Sequence, residues 1–345
     1  MTPVPEVPEL MVRSTNWIGD VVMSVPAMRE LRRLHPDWRI TVVARERVAG
    51  LYHDRELADE VLILGQGSAL RTAPQLRRRR FQRAVLLQNA FEAALLAFLA
   101  RIPDRAGYAV DGRSLLLTRR AHPRVHRLGR HQVFYYLDLL YQTGLSPVDY
   151  LNSPEFQPDL RLTLSSAGIR RAQEILEELG VPPNATLVGL NPGAAFGPAK
   201  RWPAERWAQL ADRLISESGV TALIFGSPSE IPLAEQIQAY MKERAVLLAG
   251  RTDLQSLEAL IASVDLFITN DSGPMHLAAA LDVPQIALFG STDDVATGPF
   301  SQRARVIHKH VECSPCLRRT CPIDLRCFTR ISVDEVAAAA REMLP

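Results

Sequence analysis

What most constrains this chain is an alternation of short apolar runs with stretches of helical periodicity, and the series occurs twice. In the first half MVR, RITVVAR, EVLILG and RAVLLQ alternate with patterns such as VVMSVPAMRELRRLH and AFEAALLAFLA. In the second half TLVGLNPG, VTALIFGS, AVLLAG, DLFITND and VPQIALFG are separated by helical patterns such as AERWAQLADRLISES and GPMHLAAALD. Apolar strands joined through helices mean crossover connections and parallel sheets covered on both faces. The turn-rich segment QTGLSPVDYLNSPEFQPDLRL, residues 142–162, interrupts the pattern and reads as an interdomain connection. At 345 residues the chain is long for one core and about right for two. The expected class is therefore α/β: two Rossmann-like, doubly wound domains with a cleft between them, the first over 9–160 and the second over 161–330. Ligands of such sheets sit beyond the carboxyl ends of the strands.

Composition narrows the class further. Hydrophobic residues at 47% and charged residues at 23% describe a globular chain, neither fibrous nor largely disordered. MTPVPEVPEL lacks the basic start and apolar core of a secretion signal and reads as a loose tail. The longest apolar segment, residues 84–102, is broken by Gln88, Asn89 and Glu92, which suits a strand and a buried helix rather than a membrane span. A cytoplasmic location is expected. The net charge of +2 conceals an imbalance: from Arg71 to Arg130 there are 14 arginines and no lysine, against Glu92, Asp104 and Asp111. Planar guanidinium groups suit phosphate and carboxylate partners, so an anionic partner is expected, although a run such as RRRR at 77–80 also fits a solvated helix face.

Three stretches carry chemistry in the second half. NDSG puts Asp271 and Ser272 at the start of a helix, with Gly273 next and His276 one turn on. Backbone N–H groups at a helix start are unpaired and partly positive, so they hold phosphate, although Asp and Ser there also serve as plain caps. GLNPGAAFGPAKRWP brings Gly193 and Lys200 into a long loop after one strand, and IFGSPSE brings Glu230 to the end of the next. Their convergence describes a nucleotide site. In the first half, STNWIGDVVM occupies the place of a glycine-rich turn but holds only Gly19, followed by Asp20. This excludes the G-x-G-x-x-G cradle of a nicotinamide-dependent oxidoreductase.

NWIGDVVMSVPA, NPGAAFGPAKRWP, GSPSE and NDSGPMHLAAAL, in that order, resemble glycosyltransferase family 9 from about residue 10 to 340. The resemblance implies a GT-B fold and inverting transfer of L-glycero-D-manno-heptose from ADP-heptose to the inner core of lipopolysaccharide, Kdo-lipid A bearing a first heptose. By motif, Asp20 would be the general base, Lys200 would meet the donor phosphates, Glu230 the ribose, and Asp271, Ser272, Gly273 and His276 the diphosphate and sugar, with Gly19 and Gly193 beside the donor. It places the acceptor on the arginine-rich first domain, where Arg113, Arg127, Arg130 and His131 are the candidates. It implies work at the inner face of the cytoplasmic membrane, an anionic surface, and a terminal helix, 331–345, packing back on the first domain. Other family 9 sugar transfers, including a first or third heptose addition, fit the same motifs. No D-x-D signature accompanies the donor motifs, so no divalent ion is expected for catalysis.

Cys313, Cys316, Cys321 and Cys327 all fall in CSPCLRRTCPIDLRC. Four sulfurs at such spacing suit a structural zinc ion and equally fit reduced thiols packed in a loop. A nucleic-acid-binding protein with an arginine run and a zinc knuckle is the reading from another class. Few aromatic residues interleave with the arginines, and half of the chain would be left without a task, so no nucleic acid partner is expected.

Overall fold

A computed structural model of the chain describes residues 7–54, 56–65 and 69–345. Residues 1–6, part of the stretch read above as a tail, lie outside the described residues. The chain divides into two units, one ending at Leu160 and the other running from Arg161 to Pro345.

The first unit holds β1 (Glu9–Arg13), β2 (Arg39–Ala44), β3 (Glu60–Ile63), β4 (Arg83–Leu86), β5 (Asp104–Tyr108) and β6 (Arg119–Ala121). They form one sheet in the order β3-β2-β1-β4-β5-β6, every pair parallel. Its helices are α1 (Ile18–Leu34), α2 (Glu46–Ala49), α3 (Ala69–Arg77), α4 (Phe91–Leu99) and α5 (Val133–Gln142). α1 packs with α5 and α3 with α4. Because helices cover the sheet, Leu10, Met11 and Val12 are all buried and the strand shows no inside–outside alternation.

The second unit repeats the plan with β7 (Leu187–Asn191), β8 (Thr221–Ile224), β9 (Val246–Leu247), β10 (Leu266–Asn270), β11 (Gln285–Phe289) and β12 (Ala304–His308). Their order is β12-β11-β10-β7-β8-β9, again wholly parallel. The helices are α6 (Ser166–Glu178), α7 (Ala204–Ser218), α8 (Ile231–Tyr240), α9 (Leu254–Ala262), α10 (Gly273–Ala280), α11 (Asp294–Thr297), α12 (Arg326–Thr329) and α13 (Val333–Met343). Counted from the first strand of each unit, both sheets have the order 3-2-1-4-5-6, which reverses direction between the first and fourth strands. A crevice opens at that reversal, between the loops leaving β1 and β4 and between those leaving β7 and β10.

The terminal helix has its own cap and its own apolar contacts. α13 is capped by the Ser332 hydroxyl, which accepts from the Glu335 amide at 3.1 Å. Its small buried face, Val336, Ala337, Ala339 and Ala340, lies in the apolar core of the second unit against α7 and β11. Trp202 fastens the approach to this helix by donating its indole N–H to the Ile331 carbonyl at 3.1 Å. This apolar stripe is packed within the second unit.

Candidate active site

In the first unit β1 ends at the reversal and hands the chain to α1. Arg13 and Ser14 are buried there; Ser14 Oγ lies 2.7 Å from the Tyr52 hydroxyl, and Arg13 donates to Asn16 Oδ1 at 3.0 Å. Burial, with the neighbouring Arg45, lowers the Arg13 guanidinium to about 10, still charged at neutral pH. The cap position of α1 belongs to Trp17, which is exposed and supplies no side-chain cap. Asp20 therefore is not the cap residue; it stands within the first turn, where the helix dipole favours a carboxylate. The hydroxyl of Tyr136, on α5, donates to Asp20 Oδ1 at 3.3 Å. Burial and then the charge of Asp20 push the Tyr136 phenol well above its ordinary value, which keeps it a proton donor to the carboxylate. Gly19 precedes Asp20 in the same turn.

The arginine-rich window separates into internal and surface groups. Arg113 is wholly buried: its guanidinium donates to the Tyr108 carbonyl at 2.8 Å, to Asn89 Oδ1 at 2.9 Å and to the Gln88 carbonyl. Burial lowers it to about 10. It ties the loop leaving β4 to the end of β5, so its assignment to the acceptor is corrected to a structural one. Arg119 is held by Asp104, and Arg124 by Asp138 and Asp149. Arg127 is exposed, Arg130 stacks over the Phe134 ring with 4.5 Å to its centroid, and His131 Nδ1 accepts from the Val133 amide at 3.2 Å.

The second unit builds a cradle at its own reversal. β7 and β10 both end in asparagine, and each side chain ties loops together. Asn191 donates to Thr269 Oγ1 and to Ser272 Oγ, both at 2.9 Å. Asn270 donates to the Pro192 carbonyl at 2.7 Å and accepts from the Trp202 amide at 3.2 Å. Ser272 occupies the cap position of α10, yet its hydroxyl is engaged by Asn191 and caps nothing. Asp271 is equally diverted: its Oδ2 accepts from Lys200 Nζ and from Thr292 Oγ1, each at 2.5 Å. The plain-cap alternative for Asp271 and Ser272 therefore fails. The start of α10 lies beside the Lys200 ammonium, which also rides 5.0 Å from the Phe196 ring centroid. His276 is buried one turn into α10.

Glu230 is brought to Gly193. A Cβ at position 193 would overlap the Glu230 carboxylate, so only glycine lets that side chain lie over the loop. Glu230 Oε2 accepts from the Ser227 amide and hydroxyl, both at 2.8 Å, while Arg201 stands 3.9 Å from Oε1. One carboxylate oxygen thus serves a capping box, and the other faces Gly193 and Arg201. Asn191, Asn270, Thr292 and Arg201 were not among the residues singled out from sequence. Asn191 and Asn270 stand in strand-end motifs that were noted for other residues.

The four cysteines are free thiols, with Cys327 buried and its thiol pushed up by burial. Their sulfurs do not gather as a metal set; among the described residues the group close enough to do so is Asp294, His308 and His310.

Residues 69–326 match the family model for glycosyltransferase family 9 (heptosyltransferase). The chain belongs to glycosyltransferase family 9. Within it, the chain is 32% identical over 317 residues to lipopolysaccharide heptosyltransferase 2 of Salmonella typhimurium, covering 87% of each chain. It superimposes on the structure of Escherichia coli ADP-heptose lps heptosyltransferase II with TM-score 0.83 at 29% identity, covering 97% of this chain and 98% of that one. A family 9 glycosyltransferase from Veillonella parvula shares the fold at TM-score 0.82 and 24% identity, covering 98% of each. Family 9 membership and the GT-B fold thus agree with the expectation drawn from NWIGD, KRWP and DSGPMH.

Proposed function

We propose that this enzyme transfers L-glycero-D-manno-heptose from ADP-heptose, with inversion, to a lipopolysaccharide inner core that already carries one heptose. The names of its relatives, lipopolysaccharide heptosyltransferase 2 and ADP-heptose lps heptosyltransferase II, support the substrate pair. What carries the donor half is the Lys200–Asp271–Thr292 set beside the start of α10. An ammonium has three donors; Asp271 takes one and fixes the group, and the others are suited to the departing diphosphate. Inverting transfer also needs a carboxylate to receive the acceptor hydroxyl's proton, and Asp20, steadied by Tyr136, is that base. Preorganised positive charge where ADP departs is the larger electrostatic contribution.

The enzyme works as a peripheral protein on an anionic membrane surface. α3 and α4 support this with an open depression of about 470 Å³ lined by Leu70, Ala73, Pro74, Arg77, Arg78 and Leu99. Leu70 is 68% exposed, so apolar and guanidinium groups line the same depression. No helix among the described residues is long and apolar enough to cross a membrane.

The test is mass spectrometry of truncated lipopolysaccharide incubated with purified protein and ADP-heptose. Gain of one heptose on the mono-heptosylated core, and none on Kdo-lipid A, is expected. Transfer to Kdo-lipid A alone, or to neither, would overturn the substrate assignment.

A further inference from the structure

A second constellation lies beyond the ends of β11 and β12 and takes no part in the proposed transfer. His308 closes β12, and His310 follows two residues later. Lys309 between them pairs instead with Glu335, at 2.7 Å. The two imidazole rings are tilted at 46° to each other, with centroids 4.1 Å apart. Asp294, the first residue of α11, completes the group: its Oδ1 is 2.8 Å from His308 Nδ1. One ligating atom from each of Asp294, His308 and His310 lies within 4.8 Å of the other two.

The protons on His308 are fixed by its neighbours. Ser314 Oγ donates its single hydrogen to the Gly290 carbonyl, which can only accept. The contact of 2.9 Å between Ser314 Oγ and His308 Nε2 therefore needs the hydrogen on Nε2. In the neutral ring this leaves a lone pair on Nδ1, directed at a carboxylate oxygen. Two electron-rich atoms at hydrogen-bonding distance require a cation between or beside them. The His308 side chain is only 3% exposed, so water cannot relieve the repulsion. A second proton on His308 would satisfy the pair but would leave His310 unengaged, although its ligating atom lies within 4.8 Å of both. A metal ion uses all three groups: neutral imidazole is its commonest nitrogen ligand, and the Nε2–H···Ser314 bond is the outer partner that orients such a ring.

We propose that Asp294, His308 and His310 bind a divalent transition-metal ion, with Zn²⁺ the best fit to two imidazoles and a carboxylate. With three protein ligands the ion keeps at least one position for water. It joins α11 to the segment after β12. Thr292, two residues before Asp294, is bonded to Asp271, so the ion also steadies the loop behind the donor cradle. None of the three ligands belongs to the residues proposed for the transfer reaction.

The test is equilibrium dialysis of the purified full-length protein against Zn²⁺, with metal content read by mass spectrometry. One equivalent is expected for the wild type. Asp294→Asn and the exposed His310→Ala should each weaken binding by roughly tenfold or more, while a variant with all four cysteines changed to serine should retain it. Co²⁺ substitution should give a visible spectrum without thiolate charge transfer. Absence of Zn²⁺ binding overturns the proposal, as does binding that survives His310→Ala but is lost in the cysteine variant. Thermal unfolding of each apo variant, matched to the wild type, separates a lost ligand from a lost fold.

Discussion

At the residue scale the proposed transfer divides its labour between a carboxylate and an ammonium. Asp20→Asn keeps the shape of the first turn of α1 and removes the proton acceptor. Turnover is expected to fall by about 10²–10⁴-fold with donor affinity retained, measured by ADP release and donor titration. Lys200→Met should instead weaken donor binding and slow ADP departure together, by roughly 10²–10³-fold in rate; unchanged values in either variant remove that residue's role. Both were proposed from sequence because each sits in a distinctive motif, NWIGD and KRWP. Arg113 was misread because a run of arginines says nothing about which side chain turns inward. Its three internal bonds lead to a specific expectation: Arg113→Ala leaves buried carbonyls unsatisfied and costs about 2–4 kcal/mol of stability. Arg127→Ala, at an exposed position, should leave the urea midpoint unchanged. Equal midpoints for Arg113→Ala and wild type would return Arg113 to the surface group.

At the scale of elements, nine of the twelve strands among the described residues could be read, most of them buried beneath helices. β1, β2, β4, β7, β10 and β11 are nearly continuous apolar runs because the helices leave neither face wet. β5 (DRAGY), β6 (RRA) and β12 (ARVIH) escaped the reading. β6 and β12 lie at sheet edges, and β5 is one strand in, so polar and charged residues interrupt the hydrophobic signal. The terminal helix was legible as a helix, but its partner was not, since a stripe of alanines fits any close surface. α3 and α4 add exposed Leu70 and Phe98, which were not legible in sequence, to an arginine cluster that was. If this pair docks on a bilayer, Leu70→Ser with Phe98→Ser should weaken sedimentation with phosphatidylglycerol vesicles several-fold. Arg77→Glu with Arg78→Glu should do so most at low salt, where screening is least. Vesicle binding that ignores both pairs would move the contact elsewhere.

At the scale of the whole molecule, the same strand order recurs in both units, with the proposed base following β1 in one sheet and the proposed donor residues following β7 and β10 in the other. Stability is set largely by the cores behind these sites, and one group there imposes a pH dependence. Glu258, on α9, is buried to 1% exposure, and neither carboxylate oxygen has a hydrogen-bond partner among the described residues. Burial, aided by Asp253, raises it from 4.5 to about 8. Between those values the folded protein keeps a proton that the unfolded chain has released. The stabilising contribution is therefore complete below about 4.5 and is lost as pH rises through about 8. A shift of this size corresponds to a few kcal/mol, about 3–5. Glu258→Gln holds a neutral group of the same shape at every pH. Urea denaturation should find the variant and wild type similar at about pH 5 and the variant more stable at about pH 8.5, with the slope m unchanged. Comparing the two proteins at each pH cancels histidines and other groups that titrate in the same window. If the difference between them does not grow with pH, the Glu258 carboxylate is ionised in the folded core and must be matched there by a positive group.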